Sequence, residues 1–163
     1  MPLFNNPKRV TYLIAAFVLV FIAALATRCH AAEGDWLTFS AGHALTRAEA
    51  TVADLAYAHP RWVGDAGYEL GLTLIGSSAF RNRPFDGNIA VHAQIMDGFG
   101  PVDIGIGAAY LQHTDVINGS NLNFFLSLGV HYKRLQVRYN HISNAGTTAP
   151  NIGRDMLLVG WRF

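Results

Sequence analysis

The fold this sequence predicts is all-β: an eight-stranded antiparallel transmembrane β-barrel of the outer membrane. Three observations predict it. The chain is 51% hydrophobic and only 14% charged, with a mean hydropathy of +0.21, whereas about a quarter of the residues in a soluble domain are charged. Its large apolar residues alternate with small and polar ones in segments of about ten residues, the dyad signature of strands with lipid on one face and a filled interior on the other. No helical period stands out in the 131 residues of 33–163.

The first element is a leader. Lys8 and Arg9 precede the charge-free run Val10 to Ala26, and small-residue exits follow at Ala24-Leu25-Ala26 and around His30-Ala31-Ala32. Basic, apolar and small residues in that order are the layout of a secretory signal peptide. Residues 1–32 are assigned to it, with cleavage within 26–32, and residues 33–163 to the barrel. An uncleaved anchor is the alternative, because the run approaches bilayer-spanning length. The single cysteine, Cys29, falls in the leader behind Arg28, a poor match to a lipidation signal, and one cysteine excludes an internal disulfide. The leader holds three of the 12 basic residues and none of the 11 acidic ones, which leaves 9 against 11. With no basic stripe, a nucleic-acid partner is excluded.

Eight strand-like segments follow, near 35–44, 48–58, 66–76, 88–96, 102–111, 121–132, 134–143 and 155–163. The first two are the least regular, since the Ala-rich stretch 41–58 also reads as a short helix. In the third, Tyr68, Leu70, Leu72 and Leu74 oppose Gly67, Glu69, Gly71 and Thr73. In the fifth, Ile104, Ile106 and Tyr110 oppose Asp103, Gly105 and Ala109. The sixth sets Leu122, Phe124, Leu126, Leu128 and Val130 against Asn123, Phe125, Ser127 and Gly129, and the seventh sets Leu135, Val137 and Tyr139 against Gln136, Arg138 and Asn140. A small, polar second face suits the narrow interior of an eight-stranded barrel. Links at 59–65, 97–101 and 133–134 are short and read as periplasmic; those at 77–87, 112–120 and 144–154 are longer and read as extracellular. The ending Val159-Gly160-Trp161-Arg162-Phe163 resembles the assembly signal of bacterial outer-membrane proteins.

The apolar stripe breaks in one place. The parity of Leu135, Val137 and Tyr139 continues to His141 and Ser143, and that of Trp161, Val159 and Leu157 leads back to Asp155. Three polar side chains thus fall on the lipid side of adjacent strands, at the extracellular end, where the cost of polarity is smallest. Serine, histidine and a carboxylate are a nucleophile, a base and the group that orients the base. Asn144, Asn151 and the backbone around Gly146 are the nearest candidates for oxyanion donors. The competing interpretation is a rim that hydrogen-bonds lipid headgroups, with Asn144, Gly146, Pro150, Asn151 and Gly153 as turn formers.

The run His141-Ile142-Ser143-Asn144-Ala145-Gly146, followed by Pro150-Asn151, Gly153 and an acid at 155, resembles the C-terminal motif of the outer-membrane lipid A 3-O-deacylases, the PagL family. The motif lies within 139–163, with a weaker echo at Asp65-Ala66-Gly67-Tyr68. The resemblance implies an eight-stranded barrel esterase that hydrolyses the 3-hydroxyacyl ester at position 3 of lipid A in the outer leaflet. It implies His141 as base, Ser143 as nucleophile, Asp155 as acid and Asn151 as an oxyanion or site-shaping residue. The departure is at 155, where the family motif has Glu. Lipid A or lipopolysaccharide is the expected substrate and outer-membrane lipid the surroundings, with a homodimer left open beside a monomer. Neither spacing nor resemblance implies a metal or cofactor, which counts against a calcium-dependent phospholipase. A non-catalytic structural or adhesion barrel is the alternative function, and an acyltransferase or phospholipase barrel a third. Arg81, Arg83 and Arg154, in expected extracellular segments, are either phosphate contacts or solvated loop charges. His92 and His131 fall on interior parity.

Overall fold

The computed structural model describes residues 34–45, 49–63, 66–80 and 83–163, so the expected leader lies outside the described residues. Among them ten strands form: β1 (Trp36–Ala44), β2 (Ala50–Val63), β3 (Ala66–Ile75), β4 (Ser78–Phe80), β5 (Arg83–Phe85), β6 (Asn88–Phe99), β7 (Val102–Leu111), β8 (Leu122–Tyr132), β9 (Leu135–Ser143) and β10 (Arg154–Arg162). Eight of them close a barrel in the order β1-β10-β9-β8-β7-β6-β3-β2, while β4 and β5 pair separately. Every neighbouring pair is antiparallel, the last contact joining β1 to β10 from Thr38↔Arg162 to Ala44↔Met156. Closure leaves no strand edge unpaired, which is what a sheet in hydrocarbon requires.

The Ala-rich start is two strands, paired from Trp36↔Ala58 to Ala44↔Ala50. Its alanines do not signal a helix. Ala44, Ala50, Ala56 and Ala58 are buried inside the barrel, where eight strands leave little room for larger groups. Two strands outrun their expected ends. β2 continues to Val63, through a register shift between His59 and Val63, and β6 continues to Phe99. The β4–β5 hairpin, within the expected loop 77–87, was not legible because three-residue strands show too few alternations.

Parity is kept around the wall. Leu122, Phe124, Leu126, Leu128, Val130 and Tyr132 of β8 are exposed on the outside, and Asn123, Phe125 and Ser127 are buried inside. The interior is filled by polar pairs. Arg138 donates to both Glu69 oxygens at 2.6 and 2.7 Å, Gln94 Nε2 donates to Glu69 at 2.7 Å, and Ser127 donates to Gln94 at 2.8 Å. Asp54 accepts from Thr73 at 2.6 Å and pairs with His92 Nε2 at 3.0 Å, while the His92 ring stacks on Phe125 at 4.3 Å. Gly71 makes room for that imidazole, since a Cβ there would lie 2.2 Å from its Nε2.

Toward the rim that carries the longer links, the interior turns apolar, with Val52, Ile75, Leu111, Phe125, Ile142 and Met156 packed together. Phe85 and Ile117 form a second buried cluster, with Val116 and Ile152 packed against it. The start of β1, the end of β10 and the short turns share the opposite rim. There Asp35, just outside β1, accepts from the Tyr57 hydroxyl at 2.5 Å, a hydrogen bond that lowers its carboxyl pKa from the ordinary value.

Candidate active site

The β9–β10 register sets Asp155 directly opposite His141, and the β8–β9 register sets Leu126 opposite His141 and Phe124 opposite Ser143. His141, Ser143 and Asp155 are half-buried, whereas Asn140, Ile142 and Met156 between them point inward and are fully buried. Strand alternation therefore puts the three polar groups on the outer wall, bordered by β8 hydrocarbon, near the rim that carries the longer links.

His141 Nδ1 meets Asp155 Oδ1 at 2.7 Å. With a carboxylate at Nδ1, the proton stays on that nitrogen and Nε2 is left basic. The imidazole lies against Gly153, where a Cβ would come within 2.8 Å of its Cε1. That residue also holds φ at +75°, a region open to glycine without strain. Both constraints fix Gly153 as the floor beneath the ring.

Ser143 Oγ donates to Asn151 Oδ1 at 3.2 Å and accepts from Ala145 N–H at 3.1 Å. Its hydroxyl makes no hydrogen bond to His141 in this state. Two residues along a strand span about 6.6 Å, and a contact with His141 would need the serine side chain to turn away from Asn151. Such contacts commonly tighten only once substrate is bound.

The loop from 144 to 153 has its own fastening. Asn144 Oδ1 accepts from Gly146 N–H at 3.0 Å, and its amide donates to Thr148 O at 2.7 Å. The Asn144 side chain and the Gly146 N–H, both expected near an oxyanion, are thus engaged within the loop. Ala145, at φ +53°, is the residue whose N–H is turned toward Ser143. Asn151 is held by the 112–121 loop through the Asn118↔Asn151 bridge, with Gly119 N donating to Pro150 O at 2.7 Å and Ile152 N to Ile117 O at 3.0 Å.

The Ala145 N–H, beside Ser143, belongs to the backbone around Gly146 that the sequence singled out. One neighbour of the site was not read from the sequence. Tyr139 donates its hydroxyl to Asp155 Oδ1; its place on the same stripe, two residues before His141, was the available clue. One expectation is corrected. Arg154 is neither a solvated loop charge nor a phosphate contact: it is buried and donates to Asp115 at 2.7 Å, with its guanidinium 5.3 Å from the Phe85 ring centre. It belongs to the inward face of β10, one residue out of phase with Asp155. Arg83 falls in β5 and Arg81 outside the described residues. His92 and His131 do face the interior, against Asp54 and Asp103.

A nucleophile-type hydroxyl, a carboxylate-paired imidazole and a backbone donor on the lipid side of a closed barrel define a class, the small transmembrane barrel with hydrolase-type groups at its outer rim. Comparison with known proteins narrows it. The profile described as Lipid A 3-O-deacylase (PagL) matches residues 25–163, and the chain belongs to that family. The crystal structure of the outer membrane enzyme PagL aligns with a TM-score of 0.57 at 16% identity, covering 78% of this chain and 98% of that one. At that identity the likeness is one of fold. No curated protein sequence matches significantly.

Proposed function

We propose that this chain is an outer-membrane carboxylic ester hydrolase that removes the 3-hydroxyacyl chain ester-linked at position 3 of lipid A, with Ser143 as nucleophile, His141 as base and Asp155 as the acid that orients it. The observation that carries this reading is the 2.7 Å His141–Asp155 pair on the lipid side of the outer rim, in a member of a deacylase family. The acyl chain of such a substrate would lie along Phe124 and Leu126, the β8 side chains opposite Ser143 and His141.

The chemistry follows from the groups present. His141 Nε2 takes the Ser143 proton as Oγ adds to the ester carbonyl. Charge then builds on the carbonyl oxygen, within reach of the Ala145 N–H and the Asn151 amide, and fixed donors stabilise it. Collapse breaks the bond to the sugar oxygen, which leaves with the proton from His141. A water deprotonated by His141 next attacks the acyl-serine, releasing a 3-hydroxy fatty acid and restoring Ser143. Asp155 keeps the imidazole in the right tautomer and offsets its positive charge.

Purified protein in detergent with lipopolysaccharide is expected to release 3-hydroxy fatty acid and to lower the lipid A mass by one acyl chain. No release by the wild-type protein sinks the reading. Release from phospholipid instead of lipid A turns it into a phospholipase. We also propose residues 1–32 as the leader, cut within 26–32, which N-terminal sequencing of the membrane-inserted protein checks.

Gly153→Ala tests the floor of the site. A methyl group there meets the His141 ring and forces a left-handed backbone on alanine, a strain of about 1–3 kcal/mol. Turnover is expected to fall by more than the lost stability explains, since the ring must move off Asp155. Deacylation rates beside a urea titration of the same variant separate the two effects; unchanged turnover refutes the packing argument.

A further inference from the structure

We propose that Tyr139 is a positioning residue for this site, holding Asp155 in place through its phenol so that the carboxylate keeps His141 aligned. The inference deepens the deacylase reading and rests on the roles given there to His141 and Asp155. Its starting point is that one oxygen, Asp155 Oδ1, is shared: it accepts from the Tyr139 hydroxyl and pairs with His141 Nδ1.

Register explains why the phenol reaches the acid. Asp155 stands opposite His141 and Leu157 opposite Tyr139, so Tyr139 and Asp155 are diagonal neighbours on one face, a separation that long aromatic side chains span. The same registers place Leu157 on one side of Tyr139 and Leu128 on the other, an apolar slot for the ring. Among the outward positions of β9 and β10, Ser143 and Tyr139 carry the only hydroxyls.

The acid needs such a constraint. The Asp155 and His141 side chains are 31% and 28% exposed, so the carboxylate is in reach of solvent and gains alignment from each donor that engages it. A second donor on the oxygen that pairs with imidazole adds to that alignment, and Tyr139 supplies it from a rigid strand. A tyrosine serving only as part of an interfacial aromatic belt would turn its hydroxyl to headgroups and water. Here the hydroxyl is committed to the carboxylate.

The test compares wild type, Tyr139→Phe and Tyr57→Phe. Tyr57→Phe removes the corresponding tyrosine–aspartate bond, to Asp35 at 2.5 Å, at the opposite rim. Initial rates on lipopolysaccharide in detergent micelles give kcat and KM, and heat-dependent gel migration reports the folded barrel. Tyr139→Phe is expected to lose about 10- to 100-fold in kcat, the scale of a misaligned catalytic group, with KM within about twofold and gel migration unchanged. Tyr57→Phe is expected to keep the wild-type kcat. The proposal is overturned if Tyr139→Phe turns over like wild type, if only its KM rises, if its barrel is unfolded, or if Tyr57→Phe loses as much. A wild type that releases no fatty acid overturns the deacylase reading and this proposal with it. An active wild type with an unaffected Tyr139→Phe overturns this proposal alone.

Discussion

Ser143→Ala is expected to cost deacylation about 10⁴-fold or more, the scale on which removal of a nucleophile from a serine–histidine–acid array is felt. Nothing in the fold resists the change. Ser143 ends β9 on the outer wall, its oxygen bonded only to Asn151 and to the Ala145 N–H, and the core beneath it belongs to Ile142 and Phe125. The variant barrel should therefore insert and migrate like wild type while lipid A keeps its full mass. His141→Ala should lose nearly as much, and the double substitution little beyond either alone, because groups that act as one unit do not add. Mass spectra of lipid A from membranes carrying each variant make the measurement. A Ser143→Ala protein that still removes the 3-acyl chain assigns the nucleophile elsewhere; additive losses would mean that serine and histidine do not share one step.

Most of the barrel was readable because a membrane imposes the same rule on every strand. Leu122 to Tyr132 and Leu135 to Asn140 alternate without a fault, and in the structure each residue faces the side its parity assigns. What escaped was set by contacts outside the strand period. The strands expected near 35–44 and 48–58 did form, and the helix left open beside them was excluded by a narrow interior that selects alanine, a tertiary constraint that outweighs helix propensity. The β2 extension to Val63 runs through a register shift, and shifts break the alternation that reveals strands.

The site divides in the same way. His141, Ser143 and Asp155 were visible as faults in an apolar stripe. Arg154 looked like a loop charge because only the exact start of β10 separates an outward arginine from one buried against Asp115. Ala145 contributes an N–H from the backbone around Gly146 that the sequence singled out, whereas Tyr139 was hidden by being an acceptable lipid-facing residue. Sequence parity assigns a face; it does not say where a hydroxyl on that face is turned.

Arg138→Met is expected to remove about 3–5 kcal/mol of stability, the cost of breaking a buried ion pair by deleting one partner. Arg138 and Glu69 are almost wholly inside the barrel, and the guanidinium meets both carboxylate oxygens. Without it Glu69 keeps the Gln94 amide as a donor, at 2.7 Å, and its charge loses the guanidinium that faced it across the lumen. Adding Glu69→Leu should recover most of the loss, because an apolar pair of similar volume leaves no charge stranded. Urea titrations of wild type, single and double variants in liposomes give the three numbers; a single variant as stable as wild type, or a double variant worse than the single, refutes this account of the interior. Arg138 sits on β9 beside Tyr139 yet points to the opposite face, so turnover measured well below the unfolding transition should stay near wild type. The barrel wall keeps stability and chemistry on separate sides. Ser143→Ala should abolish turnover and spare stability, Arg138→Met should do the reverse, and neither outcome follows unless strand parity decides which side of the wall a residue serves.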